Sequence, residues 1–259
     1  MTILQSLFLG AVQGLTEFLP VSSSGHLVII EKFMDIDFGG KVMMGFDIIL
    51  HAGTLAALIL LYWATLWKLI KSVFRGGGYR RLLLALIIAT VPAVIAGTVF
   101  ADAIGESFRS EKTVGLGFIS TALILVLGEK LAKNGKENSI RYKSAFLIGC
   151  AQAVALLPGV SRSGLTISAG QSSGLSRSSA LDFSFLMAIP AIAGAALLAI
   201  KEFYSGETIM PDISILSAGL FSSFAFSAIA IMLLRRLISK ISFGWFAVYL
   251  IPVGVLLLV

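Results

Sequence analysis

Apolar runs of roughly membrane-spanning length, separated by short charged loops, make up most of this sequence. A helix needs roughly 20 mostly apolar residues to cross the hydrocarbon core of a bilayer. Hydrophobic residues account for 57% of the 259 positions and charged residues for 13%, whereas a soluble domain carries roughly 25% charged residues. We therefore predict an all-α integral membrane protein that forms a single membrane domain over residues 1–259.

Composition also excludes several classes of function. The single cysteine, Cys150, lies in an apolar stretch, so neither a disulfide framework nor a thiolate metal site is expected. The net charge of +6 comes largely from the loops, and this distribution predicts no nucleic-acid partner. The N-terminus lacks a basic segment and a small-residue cleavage site, so we expect no cleaved signal peptide.

Two of the apolar elements are interrupted. The first, residues 3–33, breaks at Pro20, and the second, residues 144–174, breaks at Pro158 and Gly159. No half of either element is long enough to span a bilayer, so both elements are predicted to be re-entrant helical hairpins buried in protein. Three full transmembrane spans are predicted after each hairpin: residues 46–67, 82–100 and 113–131, then residues 181–200, 213–234 and 241–259.

The two halves of the chain, residues 1–131 and 144–259, thus share one pattern of elements. They also align at a constant offset, with matches clustered at the two breaks: Gly10 and Gly149, Gln13 and Gln152, Val21 and Val160, Ser22 and Ser161, Ser24 and Ser163, and Gly25 and Gly164. An odd number of spans per half gives the halves opposite orientations, as in the inverted repeats of many transporters. The predicted fold has six full spans and two re-entrant hairpins whose breaks meet near the midplane.

Loop charges predict the orientation of this repeat. Lys and Arg are concentrated in residues 68–81, 129–143 and 235–240 and at Arg177, whereas most acidic residues lie in 31–37, 102–111 and 202–212. Because cytoplasmic loops carry the excess of basic residues, the first set of loops is predicted to be cytoplasmic. Both termini are then periplasmic, the first hairpin enters from outside, and the second enters from the cytoplasm.

Three ionisable residues flank the breaks at membrane depth: Glu17, His26 and Arg162. A guanidinium in the bilayer interior is costly and by default functional. Arg162 offers a planar fork suited to phosphate, and Ser22 and Ser161 are placed to cap half-helices whose N-termini attract anions. Further hydroxyl donors come from Ser23, Ser24, Ser163 and Thr166. This combination predicts a cradle for a lipid phosphate, and the additional Glu17 and His26 favour chemistry over binding alone.

Two motifs, QGLTEFLPVSSSGH at residues 13–26 and PGVSRSGLT at residues 158–166, closely resemble the signatures of the undecaprenyl-diphosphate phosphatase family of the bacitracin-resistance type. The resemblance extends over the full length, including residues 46–47 and 182–185. It implies hydrolysis of undecaprenyl diphosphate to undecaprenyl phosphate and inorganic phosphate, which recycles the lipid carrier for peptidoglycan synthesis. It also implies a multi-pass protein of the bacterial inner membrane, a pocket facing the periplasm and a requirement for Mg²⁺ or Ca²⁺.

The resemblance also implies roles for particular residues. By position it assigns the acidic motif of the family to Gln13 and Glu17, its histidine to His26, its proposed nucleophile to Ser23, and its Ser-Arg-Thr set to Ser161, Arg162 and Thr166. The family commonly has glutamate where this chain has Gln13. A metal site formed by Glu17 and Gln13 would therefore have one carboxylate and one neutral oxygen ligand.

Several alternatives stay open at this point. The nucleophile is Ser23, His26 or a water, and Arg162 could instead form a purely structural ion pair with Glu17 or Asp47. A polyprenyl-phosphate flippase would use the same anion site without the chemistry. A homo-oligomer is compatible with the sequence.

Other polar and aromatic residues within the spans are expected to be structural. His51 lies one helical turn after Asp47, which predicts a hydrogen bond between them. Asp182 is expected to cap or tie its span, and Arg177 to lie near lipid headgroups. Tyr249, like the tryptophans, is expected to anchor the protein at the membrane interface or to pack within it.

Overall fold

The computed structural model describes residues 1–36, 40–100, 110–132, 135, 137–204 and 211–259, except the side chains of residues 40–44 and 198–204. Regular structure in this part of the chain is α-helical, apart from an isolated bridge between Glu137 and Leu175. Some of the predicted loop charges lie outside the described residues: Asp37, Asp102, Glu106, Arg109, Lys133, Lys136 and Glu207. The helices are α1 (Ile3–Phe18), α2 (Ser23–Phe33), α3 (Gly40–Leu61), α4 (Trp63–Arg75), α5 (Gly78–Val99), α6 (Glu111–Leu131), α7 (Tyr142–Val154), α8 (Arg162–Ser172), α9 (Arg177–Tyr204), α10 (Ile213–Leu237) and α11 (Trp245–Leu256).

Each interrupted element forms a pair of short helices, as predicted: α1 with α2, and α7 with α8. The second helix of each pair begins directly after the serine predicted to cap it. Ser22 Oγ accepts a hydrogen bond from Gly25 N at 3.5 Å, and Ser161 Oγ accepts one from Gly164 N at 3.1 Å. Both caps are therefore confirmed, because each takes up an N–H group that the first helical turn leaves without a partner.

Among the described residues, four helices are long and apolar enough to cross a membrane: α5, α6, α9 and α10. A fifth candidate is the pair α3 and α4, which bend by 75°. The last helix, α11, is apolar but has only 12 residues, or about 18 Å at 1.5 Å per residue. The protein is thus an all-helical membrane protein with four or five candidate spans in its described part, where the sequence predicted six.

The predicted span over residues 46–67 is wrong beyond Leu61. The chain bends at Tyr62, and α4 occupies much of the segment predicted as a loop. The Tyr62 hydroxyl donates to Asp182 Oδ1 at 2.5 Å, and the Arg235 guanidinium lies 5.2 Å from the centre of its ring. These contacts tie the bend to α9 and α10, and Asp182 ties its helix to a neighbour as expected.

The predicted span over residues 241–259 begins too early, because the segment before Trp245 is bound to other side chains. Glu129, near the end of α6, accepts hydrogen bonds from Gly244 N at 2.9 Å and from the Ser242 hydroxyl. Arg177 pairs with Glu129 at 2.7 Å and donates to the Ile241 carbonyl at 2.8 Å. These two contacts hold the Arg177 guanidinium, whose side chain is 38% exposed, and its position near lipid headgroups stays a prediction.

Helix α1 packs closely on α10, and small residues make this possible. A Cβ atom at Gly14 would lie 2.6 Å from the Ser223 carbonyl oxygen, so glycine is required for the approach. Ser223 Oγ donates to the Leu50 carbonyl at 2.6 Å, which joins α3 to the same face of α10. Helices in lipid associate through such close packing and interhelical hydrogen bonds. The end of α1, which carries Glu17, is thereby held in place.

The second break is held against α6. Gly159 has a φ of +79°, and a Cβ atom there would lie 2.5 Å from the Val114 carbonyl oxygen. Two turns further along α6, Thr121 Oγ1 accepts a hydrogen bond from Ser161 N at 3.0 Å. These contacts fix the start of α8, whose first residue is Arg162.

Candidate active site

Glu17, in the last turn of α1, joins the two breaks. Its Oε1 lies 2.5 Å from Arg162 Nη2, and its Oε2 accepts a hydrogen bond from Ser23 Oγ at 2.6 Å. Gln13 Nε2 donates a further bond to Oε2 at 3.0 Å. The Glu17 side chain is 8% exposed, so these donors replace the water that a buried charge loses. The prediction that the two breaks meet is confirmed.

Arg162 uses only part of its guanidinium in this ion pair. Nη2 bonds Glu17, but Nη1 is buried and has no hydrogen-bond partner among the described residues. Leaving a buried donor unpaired costs about 1–3 kcal/mol, and more for a charged group. A purely structural pair does not account for this donor, whereas an anion beside Glu17 would accept a bond from it.

The two half-helix N-termini present matched hydroxyls. Ser24 Oγ lies 3.4 Å from Ser22 Oγ, and Ser163 Oγ lies 3.2 Å from Ser161 Oγ. The caps account for only one N–H group each, and the other first-turn N–H groups have no acceptor within their own helix. Each N-terminus therefore offers oriented N–H donors to an oxyanion.

Two of the predicted phosphate-binding hydroxyls make contacts that support the hairpins. Ser163 Oγ donates to the Leu19 carbonyl at 2.9 Å and so links α8 to the first break. Thr166 Oγ1 donates to the Arg162 carbonyl at 2.8 Å and lies 2.6 Å from Ser184 Oγ. The structure places Thr166 one turn inside α8, where it joins this helix to α9.

Both ring nitrogens of His26 are engaged. Nδ1 lies 2.7 Å from the Ser22 carbonyl oxygen and Nε2 lies 2.8 Å from the Tyr249 hydroxyl. Because a carbonyl oxygen only accepts, Nδ1 carries the proton, and in the neutral ring Nε2 accepts from Tyr249. The Tyr249 ring stacks on the imidazole with 5.7 Å between ring centres, and Phe118 lies 5.1 Å away by the same measure.

Ser22, whose carbonyl binds His26, has an uncommon backbone conformation. Its φ is +69°, in the left-handed region that residues other than glycine rarely adopt. Its counterpart Ser161 has an ordinary φ of −79°. Such strain costs roughly 1–3 kcal/mol and tends to cluster at functional sites. The bond from His26 Nδ1 is one of the contacts that hold this conformation.

Comparison with known proteins agrees with the two motifs. Residues 6–256 match the family described as Bacitracin resistance protein BacA. The chain belongs to the BacA family. Relatives include undecaprenyl-diphosphatases from Rhodopirellula baltica, 41% identical over 98% of this chain and 96% of the relative, and from Carboxydothermus hydrogenoformans, 40% identical over 100% and 97%. A third, from Methanosphaera stadtmanae, is 36% identical over 99% of this chain and 97% of the relative.

Tyr249 contacts the candidate site of this BacA family member in a way that the sequence did not reveal. It was expected to anchor or pack at the interface, and the residue is 47% exposed. Its hydroxyl nevertheless reaches His26 from α11, 223 positions along the chain. An aromatic residue in an apolar helix gives no signal of such a contact, because the same pattern is typical of an interface anchor.

His51 also borders the site. Its Nδ1 bonds the Asp47 main-chain carbonyl at 2.8 Å, and its Nε2 lies 3.7 Å from Glu17 Oε2. His51 is therefore bound to Asp47 through the main-chain carbonyl, whereas the prediction joined the two side chains. The second nitrogen brings His51 beside Glu17, a contact that spacing along one helix could not predict.

The oxygen atoms around Glu17 fit a divalent cation that is coordinated partly by the protein and partly by the phosphates of a bound substrate. Gln13 Oε1 is buried without a hydrogen-bond partner among the described residues, although Nε2 of the same amide bonds Glu17. No group of three or more His, Cys, Asp or Glu residues suited to a metal occurs in the described part of the chain. Mg²⁺ commonly uses one or two protein oxygens together with waters and substrate phosphates, which agrees with this small donor set.

Proposed function

We propose that this BacA family member hydrolyses undecaprenyl diphosphate to undecaprenyl phosphate and inorganic phosphate. Curated relatives of similar length carry the name undecaprenyl-diphosphatase. The observation that carries the proposal is the contact of Glu17 with both Ser23 and Arg162, because it combines a base, a hydroxyl and a cation at one point. The reaction would recycle the lipid carrier for peptidoglycan synthesis and would confer resistance to bacitracin.

The diphosphate is bound by donors from both hairpins. Arg162 Nη1 donates to an oxygen of the terminal phosphate, while Nη2 stays on Glu17. The N-terminus of α2 adds N–H groups and the hydroxyls of Ser22 and Ser24. The N-terminus of α8, after Ser161, adds N–H groups, because the Ser163 hydroxyl already donates to the Leu19 carbonyl. Catalysis of phosphoryl transfer consists mainly of such positioning and charge stabilisation.

Ser23 is the nucleophile in this scheme. Its Oγ proton passes to Glu17 Oε2, along a hydrogen bond that already exists at 2.6 Å. Oγ attacks the terminal phosphorus, and the bond from that phosphorus to the bridging oxygen breaks. Undecaprenyl phosphate leaves with the electron pair. A water then attacks the phosphorus of the phosphoserine, and the bond from phosphorus to Oγ breaks. Glu17 returns its proton to Oγ, and inorganic phosphate leaves with the oxygen and the protons of the water.

Other residues hold this machinery in place. Because both ring nitrogens of His26 are engaged, we assign it to positioning Ser22 and the start of α2. Thr166 supports the start of α8 through the Arg162 carbonyl. Glu17 and Gln13 would hold Mg²⁺ or Ca²⁺ together with the substrate phosphates, and the bound ion supplies charge neutralisation.

We infer that the fold is an inverted repeat of residues 1–131 and 144–259. Two observations support the inference. Helices α2 and α8 each have 11 residues and begin after equivalent serines, Ser22 and Ser161. The packing is also exchanged between halves, since α1 and α3 pack on α10 while α7 and α9 pack on α5. In this scheme α3, which ends at the bend, and the short α11 are the two spans that bring α5, α6, α9 and α10 to six.

The charge of the loops supports an orientation for this repeat in the bacterial inner membrane. The basic loops would be cytoplasmic, both termini would be periplasmic, and the Glu17 site would be reached from the periplasm. A serine-to-cysteine pair, Ser139→Cys in a basic loop and Ser110→Cys before α6, tests the orientation in cells. A membrane-impermeant thiol reagent is expected to label the cysteine at position 110 and not the one at position 139. The reverse result would indicate the opposite topology.

Phosphate release from undecaprenyl diphosphate in detergent micelles tests the function. A micelle has no two sides, so a flippase would release no phosphate. Ser23→Ala and Glu17→Gln are expected to lose activity, whereas Ser217→Ala, on the exposed side of α10, should match the parent. Absence of release by the parent would refute the function, and near-normal turnover by Ser23→Ala would assign the attack to a water.

A further inference from the structure

Helix α4 leaves most of its surface uncovered. It follows α3 at a bend of 75°, so it does not continue the direction of that helix. It packs on α3 and α5 and turns Leu69 and Ser72, 5% and 3% exposed, toward the protein. Most of its other residues are exposed, including Trp63, Trp67 and Phe74.

This free surface is divided into two faces. The apolar face consists of Trp63, Trp67, Ile70 and Phe74, which are 60%, 48%, 53% and 86% exposed. Their spacing of three or four positions places them on one side of the helix. The basic face, beside it, consists of the exposed residues Lys68, Lys71 and Arg75. The helix is therefore amphipathic outside its contact with the protein.

Aromatic contacts hold the basic groups at the border between the two faces. Lys71 Nζ lies 5.1 Å from the centre of the Trp67 ring, and Lys68 Nζ lies 5.5 Å from that of Tyr79. Trp63 stacks on Trp67 with 6.5 Å between ring centres. Trp and Tyr favour the boundary between hydrocarbon and water, and lysine stems run along apolar surface while their ammonium groups reach the headgroups.

The positive charge of this region has no acidic counterpart nearby in sequence. Residues 48–101 contain neither Asp nor Glu, and the exposed Arg80 and Arg81 follow α4 at the start of α5. A helix with one apolar face and a Lys- and Arg-rich face lies in the plane of a membrane interface and is attracted to anionic lipids.

We propose that α4 is an in-plane membrane anchor whose basic face binds the phosphate headgroups of anionic phospholipids. The apolar face enters the acyl-chain boundary, and Lys68, Lys71 and Arg75 contact the headgroups around it. This lipid site is separate from the Glu17 site, and the inference does not depend on the hydrolysis proposed above.

Tryptophan fluorescence of the full-length protein in phosphatidylcholine vesicles tests the proposal. The chain has three Trp residues, so Trp245→Phe leaves Trp63 and Trp67 as the reporters. The vesicles contain matched fractions of either brominated phosphatidylglycerol or brominated phosphatidylcholine, whose bromine quenches tryptophan on contact. We expect both lipids to quench, with at least about a twofold preference for the anionic lipid at low salt. The preference should shrink in 1 M salt, where the screening length is about 3 Å.

Two triple variants, each in the Trp245→Phe background, locate the effect. Lys68→Gln/Lys71→Gln/Arg75→Gln removes the basic face and is expected to make the two brominated lipids equivalent. The matched control replaces three exposed lysines elsewhere with Gln and should keep the preference: Lys130, Lys143 and Lys240.

Three results would overturn the proposal. Equal quenching by the two lipids in the parent would show that no headgroup charge is recognised. A preference that persists in the α4 triple variant would place the recognition elsewhere. Weak quenching by both lipids would mean that protein, such as a second copy of this chain, covers the helix. The salt series needs only the Trp245→Phe protein. It therefore tests whether anionic headgroups are preferred beside Trp63 and Trp67 even if the α4 triple variant does not fold.

Discussion

Replacing Arg162 with lysine separates the two tasks of its guanidinium. In the structure Nη2 bonds Glu17 at 2.5 Å, while Nη1 is a buried donor without a partner among the described residues. Lysine keeps the positive charge beside Glu17 but has a single nitrogen. It therefore cannot hold the carboxylate and a phosphate oxygen in the forked geometry of arginine. We expect Arg162→Lys to fold and to be a poor phosphatase.

The size of the effect follows from the bond that is lost. Removing one preorganised donor to developing charge costs about 10²–10³ in kcat, or about 2.7–4 kcal/mol. The free energy of unfolding should change less, because the ion pair with Glu17 persists. Arg162→Ala instead leaves Glu17 buried without its cation, and breaking a buried pair in this way costs about 3–5 kcal/mol. Only the alanine variant should lose both activity and stability.

The assay measures kcat and KM from phosphate release in detergent, together with the Tm of each purified variant. Arg177→Lys is the matched control, because Arg177 bonds Glu129 through Nη2 at 2.7 Å in a comparable pair outside the site. It should have the kcat of the parent. A parental kcat in Arg162→Lys would refute the reasoning and would leave Arg162 as a structural partner of Glu17.

Three further predictions concern other contacts. Tyr249→Phe keeps the stacked ring but removes the bond to His26 Nε2, so kcat should fall by up to about tenfold with KM unchanged; a parental kcat would leave Tyr249 as an interface anchor. Gln13→Glu adds a carboxylate to the site. After cations are removed with a chelator, the activity of this variant should return at a lower Mg²⁺ concentration than that of the parent, and an unchanged Mg²⁺ dependence would exclude Gln13 as a ligand. Gly14→Ala places a Cβ 2.6 Å from a carbonyl of α10 and should cost about 1–3 kcal/mol in thermal unfolding, whereas Gly194→Ala, with open space around it, should cost nothing.

The two breaks could be predicted because they depend on local sequence. Pro20 in the first hairpin and Pro158 with Gly159 in the second interrupt the apolar runs, and a serine follows each interruption. Capping requires only contacts within one helical turn. The ion pair of Glu17 and Arg162 spans 145 positions, yet the approach of the two breaks was also expected, because the repeat aligns them.

The bend at Tyr62 could not be predicted in this way. Residues 54–75 contain neither Gly nor Pro, the residues at which helices usually kink. The contacts that tie the bend come from Asp182 on α9 and Arg235 on α10. Both lie far away in sequence, so hydropathy alone predicts one straight span there. The same limit applies to α11, whose start is displaced by contacts from Glu129 and Arg177.

Tyr249 shows why some residues of the candidate site could be predicted from the sequence and others could not. The residue is 47% exposed, as an interface anchor would be, and its hydroxyl bonds His26 at 2.8 Å at the same time. One apolar pattern on α11 is compatible with either role, because a tyrosine has an apolar body and a polar tip that can face different surroundings. Residues whose partners lie within a turn or at equivalent positions of the repeat can thus be found from sequence. Residues that orient the site from another helix, such as Tyr249 and His51, are found only when packing brings the helices together.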